Sequence, residues 1–188
     1  MIRMDSKAAL RLQARARLGA LSPAARTAAS AEIRRLLQAL PAWAAAPTIA
    51  LYAAQPSEPN LTPLLSTPGK TLCLPRVSGQ TLAFHHSTTP LQPGPWNLLE
   101  PHPDQSPLVD PSDIKLFTIP GLAFTKSGAR LGRGGGFYDR FLAQAHPKAM
   151  KIGVCFETQI VPALPMEDHD HTMDWVVTES GMIRCGDF

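Results

Sequence analysis

Cysteine is scarce in this chain of 188 residues: only Cys73, Cys155 and Cys185 occur, an odd number set far apart. That pattern argues against a disulfide framework or a structural zinc site and predicts reduced core thiols in a cytoplasmic protein. Long hydrophobic runs are missing too. None approaches the roughly 20 residues that a membrane span needs, and the opening Met1-Ile2-Arg3-Met4-Asp5 lacks the apolar core of an export signal. Charge is modest, with 18% charged residues and a net charge of +3. No basic excess of that size argues for nucleic acid, and anionic small molecules suffice as partners. Two standard phosphate strings are absent as well: there is no Gly-x4-Gly-Lys followed by Ser or Thr, and Phe137 stands where a dinucleotide fingerprint needs its third glycine.

What is present is a globular composition, 44% hydrophobic, in a length that suits one domain over residues 1–188. Its densest feature runs from Gly121 to Arg140. Lys115 to Pro120 reads as a short buried strand stopped by proline, which cannot donate to a ladder. Gly132, Gly134, Gly135 and Gly136 then follow, able to turn tightly and to bring N–H groups close to phosphate oxygens. Arg130 and Arg133 add charge-assisted forks. From Phe137 to Ala145 the composition is helical, with Phe137, Phe141 and Leu142 on one face and a positive helix end toward the glycines. The stretch reads as an anion cradle; a glycine-rich surface loop is the weaker alternative, given two arginines inside it and Asp139 just past it.

The string Pro120-Gly121-x-Ala123-Phe124-x-x-x-Gly128-x-Arg130-Leu131-Gly132-Arg133-Gly134-Gly135-Gly136-Phe137-Tyr138-Asp139 resembles the signature of the 5-formyltetrahydrofolate cyclo-ligase family. The resemblance implies that Arg130 and Arg133 act on the phosphates of ATP. It also implies ATP contacts for Leu131, Gly132, Gly134, Gly135, Gly136, Phe137 and Tyr138, and a magnesium ligand in Asp139. Some relatives carry Lys where this chain has Gly135, so one phosphate charge is missing here.

Upstream, Ser6 to Ala20 reads as a surface helix capped by Ser6, with Leu10, Leu18 and Leu21 among its few large apolar positions. Lys7, Arg11 and Arg15 share one face, which spacing alone reads as a solvated basic face. The family's Lys-x-x-Leu-Arg opening, matched by Lys7, Leu10 and Arg11, implies instead that Lys7 and Arg11 reach ATP. Ser22-Pro23 starts a second helix that Pro41 ends, with Ile33, Leu36, Leu37 and Leu40 on its apolar face and Trp43 packed at the junction.

Thr48 to Ala53 reads as a first buried strand, followed by a loop carrying Glu58 and a short helix through Leu61, Leu64 and Leu65. Ligands of open α/β sheets sit beyond the carboxyl ends of strands, and the resemblance implies folate contacts at Ala53 and Glu58. Gly69 to Arg76 and Thr81 to His86 form a hairpin across Val77-Ser78-Gly79-Gln80. His85 and His86, adjacent on a strand, face opposite ways and do not share a metal. The proline-rich Thr89 to Ser112 reads as a long ordered loop of the kind that covers a site. Gly94, Asn97, Glu100 and Pro101 resemble a family stretch near substrate, which implies that Trp96 and Asn97 lie beside the folate.

Lys151 to Phe156 is a clear buried strand, and Asp168 to Asp174 is an acid- and histidine-bearing turn before the strand Trp175 to Thr178. A polar turn is one reading of that cluster. Asp170, Met173, Asp174 and Val176 match the family's Asp-x-x-Met-Asp-x-Val, which implies that Asp174 completes a magnesium site with Asp139. His169 and His171 receive no role.

These elements imply an α/β protein with a mixed β-sheet covered by helices on both faces and an active cleft at the strand C-termini. The resemblance, running from Lys7 to Thr178, implies an ATP- and magnesium-dependent ligase that converts 5-formyltetrahydrofolate to 5,10-methenyltetrahydrofolate. Nucleic acid and membrane are not expected partners; a monomer is expected. The rival reading is a non-catalytic module that binds a nucleotide or RNA through the basic N-terminal helix and the glycine loop.

Overall fold

The computed structural model describes residues 6–87, 91–95 and 98–186; Trp96 and Asn97 lie outside the described residues. Helix α1 spans Lys7–Gly19, and the Ser6 hydroxyl accepts the Ala9 N–H as its N-cap. Helix α2 spans Pro23–Ala39, capped in the same way by Ser22. Pro41 does end α2, yet it also opens a short α3, Pro41–Ala45, because proline at a first helical position loses no hydrogen bond.

An eight-stranded mixed sheet follows. Its strands in chain order are β1 (Thr48–Ala50), β2 (Thr71–Ser78), β3 (Thr81–His86), β6 (Leu108–Val109), β7 (Leu116–Ile119), β10 (Met150–Val154), β11 (Trp175–Thr178) and β12 (Gly181–Arg184). Across the sheet they lie in the order β12-β11-β10-β7-β1-β2-β3-β6. The central strands β2, β1, β7, β10 and β11 are parallel, while β3, β6 and β12 pair antiparallel at the margins. Parallel strands covered on both faces need continuous apolar runs, and all four residues of β7 are buried. Thr118, its one polar member, is satisfied by donating to the Ala50 carbonyl at 3.1 Å.

Side chains alternate between two cores, one on each face of the sheet. Ile49, Leu72, Leu74, Leu116, Ile152 and Val177 face a cluster with Ile33, Leu37 and Trp43 of the N-terminal helices. Ala50, Cys73, Phe117 and Val176 face the other cluster, with Phe141 and Leu142. Those two belong to α4 (Phe137–Leu142). Phe141 packs on Phe84 and Phe117 with ring centroids 4.6 and 5.8 Å away, and full burial of one such ring contributes on the order of 2–3 kcal/mol.

Several boundaries move from the sequence expectation. The first strand stops at Ala50, though Leu51 N–H still bonds the Cys73 carbonyl. The segment after Glu58 is a 3-10 turn, Thr62–Ser66. The β2–β3 pairing continues to Ser78 opposite Thr81, so the hairpin turn is only Gly79-Gln80. The expected long loop holds strands of its own, β4 (Leu91–Pro93) paired with β5 (Leu99–Pro101), and the edge strand β6. α4 ends at Leu142, three residues before the expected Ala145.

Candidate functional site

The parallel strands all point their C-terminal ends toward one side, where the chain continues past β1 to Tyr52-Ala53 and past β7 to Pro120-Gly121. There lies a cavity of about 660 Å³. Its floor is the loop between β7 and α4. Strands β8 (Ala123–Phe124) and β9 (Arg130–Leu131) pair antiparallel and carry the chain out and back. Gly128, at φ +93°, makes that return possible: a Cβ there would stand 2.5 Å from the Met173 carbonyl oxygen. Gln159, 3% exposed, donates from Nε2 to the Gly121 and Leu122 carbonyls at 2.8 and 3.2 Å. A buried amide so paired holds the start of the loop in place.

Gly136, at φ +63°, is the left-handed residue that starts α4. It turns the chain so that the helix begins directly beneath the glycines. Arg140 anchors this bend from the far side, donating to the Gly135 carbonyl at 2.6 Å and from Nε to the Gln80 carbonyl at 2.7 Å. Arg11 of α1 donates from Nε to the Gly132 carbonyl at 3.0 Å. The cradle is therefore held by α1, by the β2–β3 turn and by the 157–159 turn together.

Both cradle arginines are paired with carboxylates. Arg130, with a side chain only 6% exposed, donates from Nη2 to Asp139 Oδ1 at 2.6 Å. Its Nε has no hydrogen-bond partner among the described residues, and its guanidinium lies 5.8 Å from the Tyr138 ring centre. Arg133 donates from Nε and Nη2 to Glu58 Oε1 at 3.1 and 2.8 Å, and from Nη2 to the Ser57 hydroxyl at 3.2 Å. A buried charge without a partner is costly, and these pairs meet that cost. Glu58 is thus not the solvated loop acid that a lone glutamate suggests; it is buried, and its Oε2 accepts the Gln55 N–H.

Lys7 closes another side. Its ammonium stands 2.8 Å from Asp170 and 3.1 Å from Glu167. Burial works against the charge on Lys7, but the hydrogen bonds and charges of these carboxylates outweigh it and raise its pKa. Burial likewise pushes the Tyr52 and Tyr138 phenols upward, with Glu58 adding to the effect, so both stay neutral. Tyr52 donates its hydroxyl to the Pro59 carbonyl at 2.7 Å.

Lys7, Arg11, Ala53, Glu58, the whole run from Arg130 to Tyr138 and Asp139 all line this cavity. Asp174 does not. It sits at the opposite end of the sheet, just before β11, where its carboxylate accepts the Lys151 N–H at 2.6 Å and its Oδ2 stands 3.3 Å from the Lys151 ammonium. Trp96 and Asn97 fall outside the described residues. The cavity also recruits residues that the sequence reading did not assign, among them Tyr52, Glu100 and Asp170. Asp170 lay inside the acidic cluster already singled out, but only the tertiary structure distinguishes it from Asp174.

Among the described residues no group of three or more His, Cys, Asp or Glu could by itself hold a metal ion. Magnesium, however, is commonly held by one or two carboxylates together with substrate phosphates and water. Asp139 and Asp170 both stand on the cavity wall, the first paired with Arg130 and the second with Lys7. No helix among the described residues is long and apolar enough to cross a membrane.

A family model described as the 5-formyltetrahydrofolate cyclo-ligase family matches residues 3–179. The chain is 30% identical over 175 residues to the 5-formyltetrahydrofolate cyclo-ligase of Escherichia coli K12, covering 88% of this chain and 96% of that protein. It is 33% identical over 144 residues to that of Mycolicibacterium smegmatis, covering 70% and 73%. Its structure is similar to that of Aquifex aeolicus 5,10-methenyltetrahydrofolate synthetase, with a TM-score of 0.84 and 32% identity over 97% of this chain and 94% of that one.

Proposed function

The chain belongs to the 5-formyltetrahydrofolate cyclo-ligase family and is an enzyme of that class, and from that premise we propose that its cavity joins 5-formyltetrahydrofolate to the chemistry of Mg-ATP. The observation that carries the proposal is the sharing of one cavity by a glycine cradle with two arginines and a wall of apolar side chains. The first suits a polyphosphate, the second a heterocycle.

A formamide oxygen is a poor leaving group. In the proposed reaction that oxygen attacks the γ-phosphorus of ATP, and the bond to ADP breaks. N10 then adds to the activated formyl carbon and loses its proton; the phosphorylated oxygen departs as inorganic phosphate, leaving the 5,10-methenyl bridge. Such chemistry asks the protein for alignment and for charge stabilisation rather than for a nucleophile.

Arg130, Arg133 and the N–H groups of Gly132 to Gly136 hold the terminal phosphates, and Lys7 and Arg11 hold the nucleotide from α1. Entry of the triphosphate gives both cradle arginines a second anion, so that their carboxylate partners share them with it. Leu131, Phe137 and Tyr138 shape the cradle walls, and Ala53 and Glu58 stand on the folate side. Magnesium, held by Asp139 and Asp170, would neutralise charge on the terminal phosphates.

The test is the absorbance of the methenyl product when purified protein meets 5-formyltetrahydrofolate and Mg-ATP. Product that requires all three components supports the reading, and folded protein that yields none removes it. A nucleotide- or RNA-binding module would instead bind polynucleotide without metal and with a steep salt dependence.

A further inference from the structure

Helix α2 lines no part of the cavity, yet one of its faces holds a loop that does. Arg26, Ser30 and Arg34 stand four residues apart on α2 and so share that face. Arg26 donates from Nη1 to the Pro56 carbonyl at 3.3 Å. Ser30, 3% exposed, accepts the Asn60 N–H on its Oγ at 3.1 Å. That hydroxyl donates to the Arg26 carbonyl one turn earlier at 2.7 Å, so its proton is spent within the helix and its lone pairs are left for the loop. Arg34 donates from Nη1 to the Asn60 carbonyl at 2.8 Å. Both backbone groups of Asn60 are thus held from α2, and the Tyr52 hydroxyl holds the Pro59 carbonyl from the other side.

Between these fixed points stand Ser57 and Glu58, the two side chains that receive the Arg133 guanidinium. Pro56 and Pro59 flank them, and each proline restricts its own φ. Arg26 adds a second tie: its Nη2 donates to the Leu18 carbonyl at 2.7 Å, in the last turn of α1. That helix carries Lys7 and Arg11, which line the cavity. One face of α2 therefore sets the loop that pairs with Arg133 against the helix that bears the other two cations. A reaction that depends on alignment is sensitive to such supports, because a displacement of about 1 Å caused far from the chemistry can cost about a hundredfold in rate.

Resting on the cyclo-ligase reading, we infer that Arg26, Ser30 and Arg34 are positioning residues for the phosphoryl transfer. By fixing residues 56–60 they place Glu58, and Glu58 in turn holds Arg133 where the terminal phosphate of ATP arrives. None of the three lines the cavity, and their effect on the reaction passes through Arg133.

A double-mutant cycle tests this. Ser30→Ala together with Arg34→Ala frees both backbone groups of Asn60, and kcat/KM for methenyl formation is expected to fall about tenfold or more. Made in an Arg133→Ala background, the same pair of changes should cost no more than about a further twofold, because the group they position is already gone. Arg34→Lys in the otherwise unchanged enzyme restores a donor for the Asn60 carbonyl and should keep more activity than Arg34→Ala. Hydrogen bonds that serve only the stability of the fold would give the same fold-loss with and without Arg133, and that result overturns the inference. So does an unchanged kcat/KM in the paired variant. Should the paired variant not fold, Arg34→Ala alone, which removes an exposed hydrogen bond, is measured in the same two backgrounds: a loss confined to the enzyme that has Arg133 supports the inference, and equal losses or none overturn it. An active wild type with equal losses removes the positioning role alone, whereas wild-type protein that makes no methenyl product removes the cyclo-ligase reading on which it rests.

Discussion

Arg133 donates two N–H groups to the same oxygen of Glu58, at 3.1 and 2.8 Å, across 75 positions of sequence. The loop after β1 is thereby tied to the glycine cradle after β9. The pair also joins the side of the cavity assigned to phosphate with the side assigned to folate.

Replacing Arg133 by Ala is expected to reduce kcat/KM by about 2–4 kcal/mol of transition-state stabilisation, as the loss of other preorganised charge donors does. Steady-state kinetics with both substrates saturated in turn would measure it. Glu58→Gln should cost less than Arg133→Ala, and the double variant should be less impaired than the sum, because each single change strands the other partner. Unaltered kcat/KM in Arg133→Ala takes this residue out of the mechanism.

The carboxylates separate by position. Asp139→Asn and Asp170→Asn should each raise the magnesium concentration for half-maximal activity by about tenfold or more, as disturbance of a metal's surroundings commonly does. Asp174→Asn should leave that concentration unchanged, since Asp174 is engaged with Lys151 away from the cavity. A magnesium titration of the three variants decides it, and a shift confined to Asp174→Asn would return the metal to the sequence motif.

Phe117 links the fold to the site. It is fully buried and lies edge-on to Phe84 and Phe141 at 6.1 and 5.8 Å. Phe117→Ala should destabilise the protein by about 3–5 kcal/mol, read from denaturant unfolding. Because Phe141 belongs to α4, whose first residues follow the glycines, the KM for ATP should rise in the same variant. Stability lost with ATP affinity intact would separate the core from the cradle.

Thiol chemistry gives a pH prediction. Burial pushes the Cys73 thiol from 9.0 up to about 12, and burial, with Asp174 adding, pushes Cys185 up to about 11. In the native state these groups keep their protons where the unfolded chain releases them. Their contribution to stability is therefore complete below pH 9 and is lost as pH rises toward the native values, at up to about 1.4 kcal/mol per pH unit for buried Cys73 and by much less for half-exposed Cys185. Unfolding midpoints from pH 8 to 11 should fall, less steeply in Cys73→Ala. Native protein at pH 8 should resist alkylation at Cys73 and react fully only in denaturant; rapid native labelling there would contradict its burial.

Much of the fold was legible because local chemistry is written locally. Ser6 and Ser22 cap the helices they precede, and the apolar runs at 116–119 and 152–154 are central parallel strands, as runs buried on both faces must be. The glycines and arginines of the cradle stood out together because a tight turn and an anion site require them in one stretch. Helix α4 was expected too long, since its composition continues to Ala145 while the chain turns away after Leu142. The strands β4 and β5 were read as loop because prolines mask short ladders.

Sequence by itself determined the first two helices, the central buried strands and the family, because each rests on spacing within a segment or on one continuous motif. Only the tertiary structure decided how charges meet: that Arg133 finds Glu58 and Arg130 finds Asp139, and that Asp170 joins the cavity while Asp174 does not. The physical reason is that Coulomb attraction and desolvation depend on distance through space and on burial. Neither is recorded in the order of residues along the chain.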